Sequence, residues 1–293
     1  MRYFDKYLHS ILLVFMLMAY PLISFCQTDT TNVKVKNTGT KHSLYGSANY
    51  GSNMIYLGST ISDNHPYFST SLIYGLNNKF FVSATTSHIN KLSPFVALYS
   101  ISGSYNQTLN SWFDYSASMA FYSTPESLKE TLFNDFGLIN LTTGFDWKLL
   151  YTKLSLSEIV SRTYSSYLQV RNSHYFQTGQ FFKQKAFLSF DPNISILFGR
   201  LVKIETTGGS QQVGNAPPFK HLKKKQNTTS PASTVYSYVF GMMDTEFSLP
   251  VTLNLNNLSV EIEALYILPA YSNPEYPAPE GFSMNITVYV KIL

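Results

Sequence analysis

The stretch Gly281-Phe282-Ser283-Met284-Asn285-Ile286-Thr287-Val288-Tyr289-Val290-Lys291-Ile292-Leu293 decides the fold. Side chains of an extended strand point to alternate faces. Phe282, Met284, Ile286, Val288, Val290 and Ile292 therefore share one apolar face. Ser283, Asn285, Thr287, Tyr289 and Lys291 share a polar one. A soluble sandwich can use one such strand in its core. A transmembrane β-barrel needs one for every stave, apolar side to lipid and polar side to the lumen.

Working backwards, the pattern recurs. Leu258, Val260, Ile262, Ala264, Tyr266 and Leu268 oppose Ser259, Glu261 and Glu263. Phe113, Tyr115, Ala117, Met119 and Phe121 oppose Asp114, Ser116 and Ser118. Similar alternation marks strands near 67–74, 79–88, 95–105, 139–148, 150–160, 164–174, 186–203 and 234–255, with Pro192 and Pro250 as interruptions. The first strand is expected to run from Ser43 through Tyr50 to Gly58. That makes about twelve strands, and even counts are usual for bacterial single-chain barrels.

Connection lengths alternate as well. Leu76–Asn78, Asn106–Thr108 and Asn256–Asn257 are tight turns, whereas Ser59–Pro66, Ser123–Asn134, Glu205–Ser233 and Pro269–Glu280 are long; the short Val160–Thr163 link, on the side of the long loops, is the exception. Short turns on one side of a membrane and long loops on the other are a barrel's habit. The expectation is an all-β chain forming a closed antiparallel transmembrane β-barrel over 43–293, up-and-down, with a long extracellular loop at about 205–233.

Composition agrees. Charged residues make up 13%, against roughly 25% in ordinary soluble domains. There are 22 Tyr and 22 Phe, which suits aromatic girdles at both interfaces. The first 26 residues carry basic Arg2 and Lys6, an apolar run from Ile11 to Ile23, and small Ser24 and Cys26 before Gln27. That is the anatomy of a cleaved signal peptide. Residues 27–42 read as a flexible periplasmic leader, rich in Thr and Asn. Cys26 is the only cysteine, and Phe25 before it argues against lipidation. Cleavage after it leaves no thiol for disulfides, zinc or nucleophilic chemistry. Without the signal the net charge falls from +4 to +3, too small to indicate nucleic acid.

The stretch Tyr50-Gly51-Ser52-Asn53-Met54-Ile55-Tyr56-Leu57-Gly58, with Phe247-Ser248-Leu249-Pro250-Val251 and Tyr266-Ile267-Leu268-Pro269, resembles a poorly characterised group of Gram-negative outer-membrane β-barrel proteins. Ser59 stands where that group usually has a basic residue. The resemblance implies a barrel in the outer membrane and implies no reaction.

The lumen-side charges are the best candidates for function. They are Asp114, Asp146, Lys148, Lys153, Arg171, Glu261, Glu263 and Lys291. They line a selective passage, or they pair internally and hold the barrel together. The mixed signs favour pairing. Lys220, Lys223, Lys224 and Lys225 form a basic patch in the long loop, suited to lipopolysaccharide or to solvent. His88 beside Ser87 and His174 beside Ser173 are the weak hydrolase candidates. The G-x-S-x-G elbow is absent, and adjacent strand residues face opposite ways. No metal or other cofactor is indicated.

The leading expectation is an exported outer-membrane protein with both termini periplasmic, serving as a narrow pore for small solutes. The second is a non-conducting barrel that binds protein partners in the cell envelope. A membrane-embedded lipid hydrolase is the third.

Overall fold

The computed structural model describes residues 40–129, 131–161, 164–181, 186–206, 209–214, 235–271 and 278–293. The expected signal segment (1–26), nearly all of the expected leader (27–42) and residues 215–233 of the expected long loop lie outside them. Among the described residues no helix is long and apolar enough to cross a membrane.

Twelve antiparallel strands close into a ring. They are β1 (His42–Gly51), β2 (Tyr67–Leu76), β3 (Phe80–Ile89), β4 (Leu98–Thr108), β5 (Phe113–Ser123) and β6 (Phe136–Asp146). The second half comprises β7 (Tyr151–Val160), β8 (Tyr164–Ser173), β9 (Asn193–Thr206), β10 (Val235–Leu255), β11 (Leu258–Pro269) and β12 (Gly281–Lys291). Each pairs with its chain neighbour, and β1 pairs with β12 from Tyr45↔Lys291 to Gly51↔Asn285. Closure leaves the ring itself without an unpaired edge. The strand ends carrying His42 and Lys291 are called the terminal end, and the opposite side the loop end.

Strand extensions account for both proline interruptions. Ala186–Phe190 precedes β9 and pairs with β10 in the register that β9 continues beyond Asp191-Pro192. Phe176–Gln177 similarly prolongs β8. Pro250 sits inside β10 opposite Glu263, and its carbonyl accepts from the Asp191 amide at 3.3 Å. The long loop expected to be free of strands begins later. β9 runs to Thr206, and Gly209–Gly214 folds back onto it.

The alternation read from sequence becomes two surfaces. Outward side chains form an apolar belt that includes Leu72 (54% exposed) and Ile101 (63%). Aromatic side chains border it. Phe80–Tyr105, Trp112–Phe145 and Phe145–Trp147 contact one another at the terminal end. Tyr50, Phe68, Tyr99 and Tyr266 stand exposed towards the loop end. Strands of ten to twelve residues, such as β2, β4 and β11, suit the hydrocarbon thickness. An apolar belt of this extent on a closed barrel has hydrocarbon as its partner.

The interior changes character along the axis. Towards the terminal end the inward positions of β1 to β4 are mostly Ser, Thr and Asn. Hydroxyls bridge the strands there: Ser71 to Thr85 at 2.8 Å and Ser83 to Ser102 at 2.7 Å. At the loop end, inward Ile89, Leu98, Phe136, Ile159, Tyr167, Leu197 and Met243 join one apolar cluster.

Connecting segments complete that cluster and form a plug. β1 ends at Gly51, earlier than expected, because the chain then turns inward. Met54, Tyr56 and Leu57 were read as a continuation of the strand, yet they belong to a short hairpin packed against the cluster. Asn53 ties the hairpin, accepting from Thr60 at 2.6 Å and from Ser62 at 2.9 Å. Gly58 lies at the tip with φ +71, against Met243 and Asp244 on the far wall. Only glycine adopts that backbone readily, and a Cβ there would crowd both neighbours. The β5–β6 connection adds Leu128, Leu132 and Phe133 to the same cluster. Cluster members come from every strand between β2 and β10, so the plug spans the lumen.

Candidate functional site: a charged row in the lumen

One row of inward positions crosses six strands. Asp114 on β5 pairs with Gly144, Gly144 with Lys153, and Lys153 with Arg171. Arg171 pairs with Ser195, and Ser195 with Glu246 on β10. The order is acid, spacer, base, base, spacer, acid. The facing half of the lumen, β1 to β4, presents no charged side chain in its strands. The inward charge borne by strands is thus confined to β5 to β11.

Two of the four charges in the row, and both carboxylates on β11, are answered. The Tyr151 hydroxyl donates to both oxygens of Asp114, at 3.0 and 2.9 Å. Arg171 Nη2 donates to Asp191 Oδ2 at 2.9 Å. On β11, Glu263 accepts from Ser248 at 2.5 Å and from Asn285 at 3.3 Å. Glu261 accepts from Thr252 at 3.1 Å. Lys153 lies over the Tyr151 ring, 5.6 Å from its Nζ, with no hydrogen bond or ion pair among the described residues.

Of the eight residues expected to line the lumen, Asp114, Lys153, Arg171, Glu261 and Glu263 do face it on strand walls. Asp146 sits at the end of β6, exposed, and accepts the Lys148 amide at 2.7 Å. Lys148 is not on a strand face. It occupies the β6–β7 turn with φ +71, exposed to solvent, because the hairpin needs a left-handed residue there. Lys291 is the last residue of β12 and exposed at the terminal rim. Lys220, Lys223, Lys224 and Lys225 lie outside the described residues.

Three lumen carboxylates escaped the sequence reading: Asp191, Asp244 and Glu246. A bulge between Leu197 and Phe198 shifts the register against β10, so simple alternation there misleads. Asp244 is 4% exposed, beneath the plug tip, and its Oδ1 has no partner among the described residues. The long run from Val235 to Leu255 offered no turn from which to phase its faces.

A polar cavity of about 450 Å³ lies towards the terminal end. Asn77, Asn78, Lys79, Asn106, Gln107, Asp114, Ser116, Thr142 and Lys153 line it. It therefore runs from the β2–β3 turn to the charged row. No three His, Cys, Asp or Glu side chains among the described residues are grouped to hold a metal. In the plug, burial first and Tyr122 second hold the Tyr56 phenol well above its ordinary pKa, so it remains neutral.

The two histidine candidates point elsewhere. His88 faces outward, stacked on Phe95 at 4.3 Å, with Nδ1 2.6 Å from the Phe95 carbonyl oxygen. Its neighbour Ser87 faces inward and bonds Ser69 at 2.7 Å. His174 Nδ1 lies 2.6 Å from the Leu149 carbonyl oxygen at the terminal rim.

No protein-family model matches the sequence, and no curated protein does. Among solved structures the chain is similar to LpxR from Salmonella typhimurium, with 7% identity and TM-score 0.49 over 84% of this chain and 99% of that one. It is similar to the KdgM porin, with 10% identity and TM-score 0.46 over 84% and 98%. It is also similar to the NanC porin, with 12% identity and TM-score 0.43 over 85% and 100%. Its own ring of strand pairings and its lipid-facing belt make it a membrane-spanning β-barrel of the outer-membrane type.

Proposed function

We propose that the protein is an outer-membrane channel for small polar solutes, shut at the loop end by its apolar plug. The observation that supports this is the unfilled polar space below the plug. A barrel serving only as a wall gains stability by packing its interior to the density of other protein cores. Here the hydroxyls bond strand to strand and leave a cavity of about 450 Å³ that reaches the charged row. On this reading the first 26 residues are removed on export and both termini face the periplasm. Lipid and lipopolysaccharide surround the belt, with the basic loop on the outer side.

A second reading, a non-conducting barrel that binds envelope partners, is favoured by the completeness of the plug. Phe133 and Ile89 are fully buried within it. A hydrolase is not favoured. His88 and His174 are each engaged with a backbone carbonyl, on strand ends away from the lumen charges.

Planar-bilayer recording separates the first two readings. The wild type is expected to stay mostly closed. A variant carrying Leu57→Ser, Ile61→Ser and Phe133→Ser is expected to conduct, because the apolar seal then hydrates. If that variant inserts, as verified by protease protection, and passes no current, the non-conducting reading replaces the channel.

A further inference from the structure

Two inward charges in the row have no hydrogen-bonding or ion-pair partner among the described residues, although Lys153 lies 5.6 Å from the Tyr151 ring. Among the described residues Lys153 makes no hydrogen bond or ion pair, and neither does Glu246. Arg171 and Glu263 are the charged neighbours of Glu246. Lys153 stands directly opposite Arg171 across the strand pair. Like charges so placed destabilise a sheet. A half-buried charge left unpaired adds a further cost. Folding alone would favour neutral residues at both positions, as it has along β1 to β4.

The arrangement has the features of a site with two poles. Lys153 and, beside it on the side of Glu246, the Arg171 guanidinium offer positive charge at one pole. Glu246 offers negative charge at the other, with only Ser195 between it and Arg171. From β7 to β10 is three strand spacings, about 14 Å along the wall. Two long side chains reach into that span from its ends. A chain of two or three residues, each adding at most about 3.5 Å, can bridge it. A simple anion would answer only Lys153, and a simple cation only Glu246.

We propose that Lys153 and Glu246 bind a small zwitterion, a short peptide, with its carboxylate on Lys153 and its ammonium on Glu246. This deepens the channel reading and rests on solutes entering the lumen through the polar cavity, which Lys153 itself lines.

The test is calorimetry on the folded full-length mature protein in detergent, with dialanine as the probe. N-acetyl-dialanine, which keeps only the anionic end, and dialanine amide, which keeps only the cationic end, are the controls. Dialanine is expected to bind at least about tenfold tighter than either control, a difference of about 1.4 kcal/mol. Lys153→Met and Glu246→Gln should each reduce dialanine binding by a similar factor. Lys153→Met should not lower the melting temperature, since it relieves the contact with Arg171. Equal binding of all three ligands overturns the proposal, as does the absence of dialanine binding. The ligand comparison uses the wild type alone, so a misfolded variant does not blunt it. Binding needs no passage: a protein that binds dialanine and never conducts defeats the channel and keeps the site, and one that conducts without binding does the reverse.

Discussion

The Tyr151 hydroxyl reaches both carboxylate oxygens of Asp114 by lying across Gly144, the residue of the intervening strand β6 that pairs with Asp114. A Cβ on Gly144 would collide with that hydroxyl and stand 2.7 Å from Asp114. The glycine is a seat for a tyrosine. Tyr67 uses Gly51 in the same way to reach Asn285 at 3.3 Å.

Tyr151→Phe therefore removes one charge-assisted bond, shared between the two carboxylate oxygens, and leaves Asp114 without it. The expected loss is about 1.5–3 kcal/mol, read from urea unfolding in lipid vesicles. Gly144→Ala should cost more, because it displaces the ring as well as the bond. Equal stability of Gly144→Ala and wild type would show that the ring is not held there.

The Arg171–Asp191 bond ties β8 to the bend before β9. Its side chains are 34% and 31% exposed, so solvent screens the pair. Arg171→Met and Asp191→Asn are each expected to destabilise. A double-mutant cycle should return a coupling of about 1 kcal/mol. The cycle is needed because Arg171→Met also relieves Lys153. A coupling near zero would mean that the bond does no more than mark the geometry.

Much of the barrel was legible in the sequence because one physical rule, alternation against lipid and lumen, governs it almost everywhere. Asp114, Lys153 and Arg171 fell on the wet face by that rule alone. It failed where the rule stops applying. Met54 and Tyr56 alternate as a strand does, but their apolar sides meet a plug and not lipid. Glu246 lies beyond the bulge opposite Leu197, where the count of faces slips. A turn is expected near Lys148, but alternation extends the strand face one step too far, onto the residue that itself makes the left-handed turn.

Outside the membrane span, Lys129 bridges Glu126 at 2.9 Å and Asp135 at 3.2 Å beside the plug segment. The bond to Glu126 first, and that to Asp135 second, raise its pKa above the ordinary lysine value. A raised lysine stabilises the fold fully below its unfolded pKa of about 10.4, and the contribution fades as pH rises through the folded value. Protease cleavage in the 124–135 segment should thus be unchanged from pH 7 to 9 and increase only at higher alkalinity. Lys129→Met should cleave faster at neutral pH and lose the alkaline step. A step already present at pH 8 would contradict this.

The central claim is that neighbouring residues on a strand face hydrocarbon and water in turn. Met119 and Ser118 on β5 test it most directly, one 39% exposed on the outer belt and the other turned to the lumen. Each is replaced by cysteine, labelled with an environment-sensitive fluorophore, and refolded into vesicles. Brominated lipid should quench the label at 119 and not at 118, and iodide should do the opposite. Iodide quenching at both positions, with brominated lipid quenching neither, would contradict a lipid-spanning barrel.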